Sequence, residues 1–271
     1  MKEKKKTILI TGAGGSLGAA AVRAFLEKGY AVFAADVRTD SIPEGAVPVE
    51  IDVTSPESVE KAGEEIGKIC GRLDAVLHLA GVYTMDSFVE ITEEELNRMF
   101  EVNLMGVIRV NRVFLPLVRR AGGRIVITAS ELAPLDPLPF NGIYTVTKRA
   151  LDGYAHSLAL ELDLIGVKVV TVYPGAFGDG MTKGAVRALD RMKGKTELYP
   201  GVTERFRKIV ASETGKAKPP EKLAAFLVKI AEKKRPRFNY FINNSFKLKL
   251  FSALPELAQA YLLRKLLKNK E

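Results

Sequence analysis

The chain has 271 residues, 47% of them hydrophobic, enough for one large α/β domain with a substantial core and short for two. Its net charge of +9 sits at the ends: residues 1–6 carry four Lys against one Glu, and residues 229–271 carry eleven Lys and Arg against three acids. The body is therefore slightly negative, and no nucleic-acid partner is expected. No apolar run is long enough to span a membrane, and the one after the N-terminal lysines is too short for a signal peptide. The single cysteine, Cys70, cannot close an internal disulfide, so a reducing, cytoplasmic setting is expected.

Strand-like apolar runs alternate with helical patterns from the start, as in βαβ units around a parallel sheet. Residues 7–10 read as the first strand and 17–28 as the first helix, ended by Gly29. Between them lies Thr11-Gly12-Ala13-Gly14-Gly15-Ser16-Leu17-Gly18, where backbone N–H groups and a helix N-terminus can meet a pyrophosphate. Residues 31–35 form the second strand, followed by Asp36, eighteen residues beyond Gly18. A carboxylate there accepts hydrogen bonds from adenosine ribose hydroxyls and repels a 2′-phosphate. NAD is therefore expected over NADP, with Arg38 and Lys28 as the cations able to soften that preference. Residues 47–51 read as the third strand, and Ser55-Pro56 starts a helix reaching about Cys70. Residues 75–79 are a near-continuous apolar strand, and Thr92-Glu93-Glu94-Glu95 opens a long helix through Arg112 or beyond. Residues 124–128 are the fifth strand, 144–164 a helix, 167–172 the sixth strand, and 240–242 the seventh, after a helix opened by Pro219-Pro220. The expected fold is α/β: a doubly wound (Rossmann), mostly seven-stranded parallel sheet over residues 1–245, with an amphipathic C-terminal extension over 246–271.

Tyr144 and Lys148 stand four apart at a helix start and so share one face. A phenol is a poor proton shuttle at neutral pH, and a neighbouring ammonium should bring its acidity towards the working range. Ser130, ending Ile127-Thr128-Ala129-Ser130 on the same sheet edge, is placed to hold a substrate oxygen.

With these motifs in order, the chain resembles the short-chain dehydrogenase/reductase family over about residues 5–242. The resemblance implies a nicotinamide-dependent oxidoreductase interconverting an alcohol and a ketone, assembled as a homodimer or homotetramer. It assigns Gly12, Gly15, Ser16, Leu17 and Gly18 to the cofactor turn, Asp36 to cofactor selection, and Asp52 and Val53 to the adenine. Ala80 and Gly81, in Leu79-Ala80-Gly81, lie under the cofactor, and Pro174, Gly175 and Phe177 close over the nicotinamide. Asn103, in Val102-Asn103-Leu104, matches the helix asparagine that holds a relay water, and Ser130, Tyr144 and Lys148 match the catalytic set. Tyr144 and Lys148 also touch the cofactor.

The chain departs from the pattern in four places. Ser16 replaces a glycine, leaving Gly12, Gly15 and Gly18 in the spacing of the longer, epimerase-like members. His78 and Leu79 replace paired asparagines. Ser130 is fourteen residues before Tyr144 instead of thirteen, which calls for a bulged loop. Asp179 and Gly180 stand where a threonine usually binds the carboxamide, with Thr182 as a substitute. An epimerase or dehydratase and a non-catalytic dinucleotide sensor are the competing readings. Two histidines and one cysteine give a transition metal little to bind, and no metal site is expected.

Specificity is expected from Leu132, Leu135, Leu138 and Phe140, and from a lid over about 177–218 bearing Met181, Val186, Leu189 and Met192. The tail, with Phe246, Leu248, Leu250, Phe251 and the apolar face Tyr261, Leu262, Leu263, Leu266 and Leu267, suggests a hydrophobic substrate of steroid, retinoid or acyl type. It also suggests contact with a subunit or with a membrane surface.

Overall fold

β1 (Thr7–Thr11) sends Ile8 and Ile10 to one face of the sheet and Leu9 to the other, and both faces are buried. That alternation, with apolar residues on both sides, is what a parallel strand between two helical layers requires. The computed structural model describes residues 5–178, 180–214 and 217–267, the side chains of 180–183 and 212–214 excepted. β2 (Ala31–Asp36), β3 (Val47–Glu50), β4 (Ala75–His78), β5 (Arg124–Thr128), β6 (Lys168–Pro174) and β7 (Asn239–Ile242) complete one sheet of order β3-β2-β1-β4-β5-β6-β7, parallel throughout.

One face is covered by α1 (Ser16–Glu27) and α8 (Pro220–Glu232), through Val22, Phe25, Leu223 and Leu227. The other is covered by α2 (Pro56–Cys70), α4 (Gly106–Ala121) and α5 (Gly142–Asp163), through Ile66, Phe114, Val118 and Leu151. Local signals behave as the sequence predicts. Ser55 caps α2 by accepting from Ser58 N at 3.1 Å, and Thr92 caps α3 (Glu93–Phe100) by accepting from Glu95 N at 3.2 Å. The long helix after Thr92 is interrupted by a π-turn at Glu101–Met105 before α4 begins.

The segment expected to serve as a lid contains a helix pair, α6 (Gly180–Lys195) and α7 (Val202–Thr214), whose Ala185, Ala188, Leu189, Met192 and Phe206 are buried together with Met85. Asp179 and the side chains of Met181 and Thr182 lie outside the described residues. The tail folds as α9 (Phe246–Ser252) and α10 (Glu256–Leu267). It is tied back by Asp136 N donating to Ser252 Oγ at 3.0 Å, Gln259 Nε2 to Asp136 Oδ2 at 2.8 Å, and Arg205 Nε to the Leu267 carbonyl at 2.8 Å. Among the described residues, no helix is long and apolar enough to cross a membrane.

Phe114 is fully buried between the sheet and the α2–α4–α5 layer. Phe114→Ala should lower the unfolding free energy by about 3–5 kcal/mol in a denaturant titration. A loss below about 1 kcal/mol would show that this layer does not depend on it.

Candidate active site

The strand order reverses between β1 and β4, which opens a crevice at their C-terminal ends. Gly12 lines it with φ +69°, and a Cβ there would fall 2.5 Å from the Ala80 nitrogen; at Gly18 it would fall 2.0 Å from the Gly12 carbonyl oxygen. No side chain caps α1 at Gly15, so its first turn presents backbone N–H groups to an anion. Ser16 and Leu17 open that turn; Leu17 lines the cavity described below, and Ser16 faces Gly178. Asp36 ends β2, its Oδ2 accepting from Gly14 N at 2.9 Å and its Oδ1 from Arg38 N at 3.4 Å. Asp52 closes the turn after β3, accepting at Oδ1 from Thr54 N (2.9 Å) and Thr54 Oγ1 (2.7 Å), while Val53 packs against Gly106. A cradle that a Cβ would fill, an uncapped helix start and a carboxylate at the ribose position all fit a bound dinucleotide.

Across the crevice, Tyr144 stands in the first turn of α5, buried, with Ser130 hydrogen-bonded to its phenol and Tyr83 edge-on at 4.7 Å between ring centroids. Lys148, one turn on, donates to the Thr128 carbonyl at 3.0 Å and lies 5.8 Å from the Tyr144 ring centroid. The extra residue between Ser130 and Tyr144 is absorbed in successive turns, Ala133 N to Ser130 O at 3.1 Å and Leu135 N to Leu132 O at 3.2 Å. Ser130 therefore keeps its reach.

Burial pushes the Tyr144 phenol up to about 12; the hydrogen bond to Ser130 opposes the shift, and the charge of Glu131 adds to it. Burial also takes Lys148 down to about 8. The expected lowering of Tyr144 by Lys148 is thus not what the geometry gives. The ammonium is turned to the Thr128 carbonyl, and loss of solvent outweighs any attraction to the ring.

Asn103 is fully buried within the π-turn. Its Oδ1 accepts from Val82 N at 2.8 Å, while its Nδ2 donates to Val82 O at 2.9 Å and to Thr147 Oγ1 at 3.2 Å. It therefore clamps the segment after β4, including Ala80 and Gly81, to the residue preceding Lys148. Pro174 ends β6, and Gly175 N donates to Ile242 O at 2.9 Å. Phe177 belongs to the core beside α8 as well as to the cavity wall. His78 is held by Asn111 at 2.7 Å, which in turn donates to Tyr154 at 3.1 Å, and burial lowers its pKa to about 4. It is a neutral packing residue.

Leu17, Ala80, Gly81, Ser130, Tyr144, Lys148, Pro174, Gly175 and Phe177 line one cavity of about 850 Å³, whereas Gly12, Gly15, Ser16, Gly18, Asp36, Asp52, Val53 and Asn103 are not in its wall. Leu132 and Leu138 line it as expected; Leu135 and Phe140 do not, Phe140 packing instead on Tyr199 and Phe206 at 5.2 and 5.6 Å. The tail supplies Leu248, Phe251, Leu263, Leu266 and Leu267. Sequence reading missed Glu131, Asn141 and Asn243–Ser245, all in the wall, because nothing local marks them.

Fold and site together define a dinucleotide-binding α/β oxidoreductase. The family model for short chain dehydrogenase matches residues 6–190, and the chain belongs to that family. It is 30% identical over 260 residues to a 3-ketodihydrosphingosine reductase of Bacteroides thetaiotaomicron, covering 95% of this chain and 96% of the relative. It is likewise 30% identical to a meso-2,3-butanediol dehydrogenase of Serratia marcescens, over 85% and 89% of the two chains. A short-chain dehydrogenase structure from Streptomyces avermitilis superposes with a TM-score of 0.77 at 25% identity, covering 97% and 96%. Members of the family bind a nicotinamide dinucleotide and act on small molecules.

Lys148 generates a testable consequence for stability. Its folded value of about 8 lies below the ordinary 10.5, so between these pH values the unfolded chain holds more protons. The cost of burying the ammonium is fully present below about pH 8 and fades as pH rises towards 10.5. Lys148→Met should therefore stabilise the dinucleotide-free protein at pH 7, by about 1–3 kcal/mol, with the gain shrinking by pH 10. Thermal melts at the two pH values check it, and a variant less stable at both would refute the buried-charge account.

Proposed function

We propose that the protein interconverts a secondary alcohol and a ketone on a long apolar substrate, with NAD(H) preferred and Tyr144 as the proton donor and acceptor. The observation that carries this reading is the convergence of Ser130, Tyr144 and Lys148 on the wall of a largely apolar cavity that also reaches the glycine turn. The relative named for 3-ketodihydrosphingosine supports a large apolar ketone, since it pairs with 95% of this chain.

The bound dinucleotide would supply or accept the hydride. It would be held by Gly12, Gly15, Ser16, Leu17 and Gly18 at its phosphates, Asp36 at its ribose, Asp52 and Val53 at its adenine, and Ala80, Gly81, Pro174, Gly175 and Phe177 nearer the reacting end. Ser130 fixes the substrate oxygen. Tyr144, protonated at neutral pH, gives its phenolic proton to the developing alkoxide, which is the stronger base. In oxidation the proton returns to Tyr144. Lys148, itself near its titration point, would hold the nicotinamide ribose and restore the proton to Tyr144 from the Asn103 side. The tail and the α6–α7 pair keep water from the apolar part of the cavity.

Tyr144→Phe removes the proton donor and keeps the ring. NADH affinity should stay within about threefold while kcat falls by at least about a hundredfold. Wild-type turnover in the variant, measured on a long-chain ketone, overturns the mechanism.

Asp36 governs cofactor choice in this reading. Hydrogen bonds from ribose hydroxyls to its carboxylate contribute about 1.5–3 kcal/mol, and a 2′-phosphate loses them and meets like charge. NADH should bind at least about tenfold more tightly than NADPH, and Asp36→Ala should narrow the gap. Equal or tighter NADPH binding by the unmodified protein, with both dissociation constants measured at one ionic strength, sinks the assignment.

A further inference from the structure

Glu131 follows Ser130 in the chain and stands in the cavity wall, 9% exposed. Its Oε2 accepts from Ser245 N at 2.5 Å. Among the described residues no hydrogen bond reaches Oε1 and no ion pair engages the carboxylate. Oε1 lies over Gly175, where a Cβ would come within 3.0 Å of it. Burial holds the carboxyl above its ordinary range, opposed by the Ser245 hydrogen bond and by the charge of Lys249. Glu131 and Tyr144 line the same cavity, and the charge of Glu131 adds to the upward shift of the Tyr144 phenol.

A carboxylate buried without a cation is costly. Capping Ser245 requires only a neutral acceptor, so that hydrogen bond does not account for a charge at this position. Apart from Lys148, Lys218, Lys247 and the amides near Ser245, the rest of the wall is mostly hydrocarbon, including Phe206, Val210, Phe251 and Leu263. A ligand complementary to the whole would carry a cationic N–H donor at the catalytic end and an alkyl chain beyond it.

We propose that Glu131 is the binding site for an ammonium group of the substrate, and that the substrate is a long-chain ketone with its amine close to the carbonyl. This rests on the alcohol–ketone reading above. Ser130 and Tyr144 take the carbonyl oxygen, Oε1 of Glu131 accepts from the ammonium, and the alkyl chain lies along the tail and lid helices. Glu131 then selects among ketones that Ser130 and Tyr144 would treat alike.

Glu131→Gln removes the charge while keeping the side chain's size and an acceptor for Ser245. The unmodified protein should prefer a long-chain α-amino ketone to the same ketone without the amine by at least about tenfold in kcat/KM, and the variant should lose most of that preference. Calorimetry gives a readout free of turnover: dodecylammonium should bind at least about tenfold more tightly than dodecanol, and the difference should vanish in the variant. Turnover of both ketones without preference, or a preference that survives Glu131→Gln, overturns the assignment and leaves the oxidoreductase reading standing. Charge-dependent amine binding without turnover of any ketone overturns the oxidoreductase reading and keeps the ammonium site. If Glu131→Gln does not melt cooperatively, the comparison of dodecylammonium with dodecanol on the unmodified protein decides, and equal affinity overturns the assignment.

Discussion

The site is organised around a backbone approach so close that no methyl group fits it. At Gly12 a Cβ would collide with the Ala80 nitrogen, and at Gly18 with the carbonyl of Gly12 itself. The β1–α1 turn is thereby pressed against the end of β4. From Ala80 and Gly81 the chain passes to Val82, which Asn103 grips through both its N–H and its carbonyl, and Asn103 reaches on to Thr147 beside Lys148. Phosphate cradle and the first turns of α5 are thus connected through close-packed backbone and one buried amide. Such a connection favours a set separation between the groups on either side of the crevice.

The same burial makes the site expensive. Tyr144 is driven up and Lys148 down by loss of solvent, and Glu131 is held above its ordinary range for the same reason. Three neighbouring ionisable groups thus resist charging. A fold that keeps them there spends stability on a polar cluster that apolar residues of similar volume would fill more favourably. The surrounding layers compensate, with Phe25 and Phe114 fully buried on opposite faces of the sheet.

Much of this was legible in the sequence because the informative interactions were local. Strand alternation, the caps at Ser55 and Thr92, the glycine turn, Asp36 at the end of β2 and the Tyr144–Lys148 spacing all follow from chain-neighbour geometry. Helix α6 also carried a usable signal. Ala185, Ala188, Leu189 and Met192 fall at the i, i+3, i+4, i+7 spacing of a buried stripe, but interspersed glycine and charge masked it, and its partners Phe206 and Met85 come from distant segments. Glu131 offered no signal at all: its burial is created by Gly175 and by Ser245, which lies 114 residues further on. The acidity of Tyr144 failed for a related reason. Helical spacing places a lysine on the same face, but tertiary burial and the Thr128 carbonyl decide where that lysine's charge is directed.

The stretch matched by the family model ends at residue 190, whereas Phe206, Val210, Leu248, Phe251, Leu263 and Leu267 in the cavity wall all come after it. Much of the apolar wall is therefore encoded after the proposed reactive groups, although Glu131, Leu132 and Leu138 contribute to it from the earlier stretch. Changes accumulating beyond residue 190 can reshape which molecules are admitted while the residues before it continue to perform one unchanged transformation. For an engineer, the last two helices are an interchangeable glove fitted over a fixed hand.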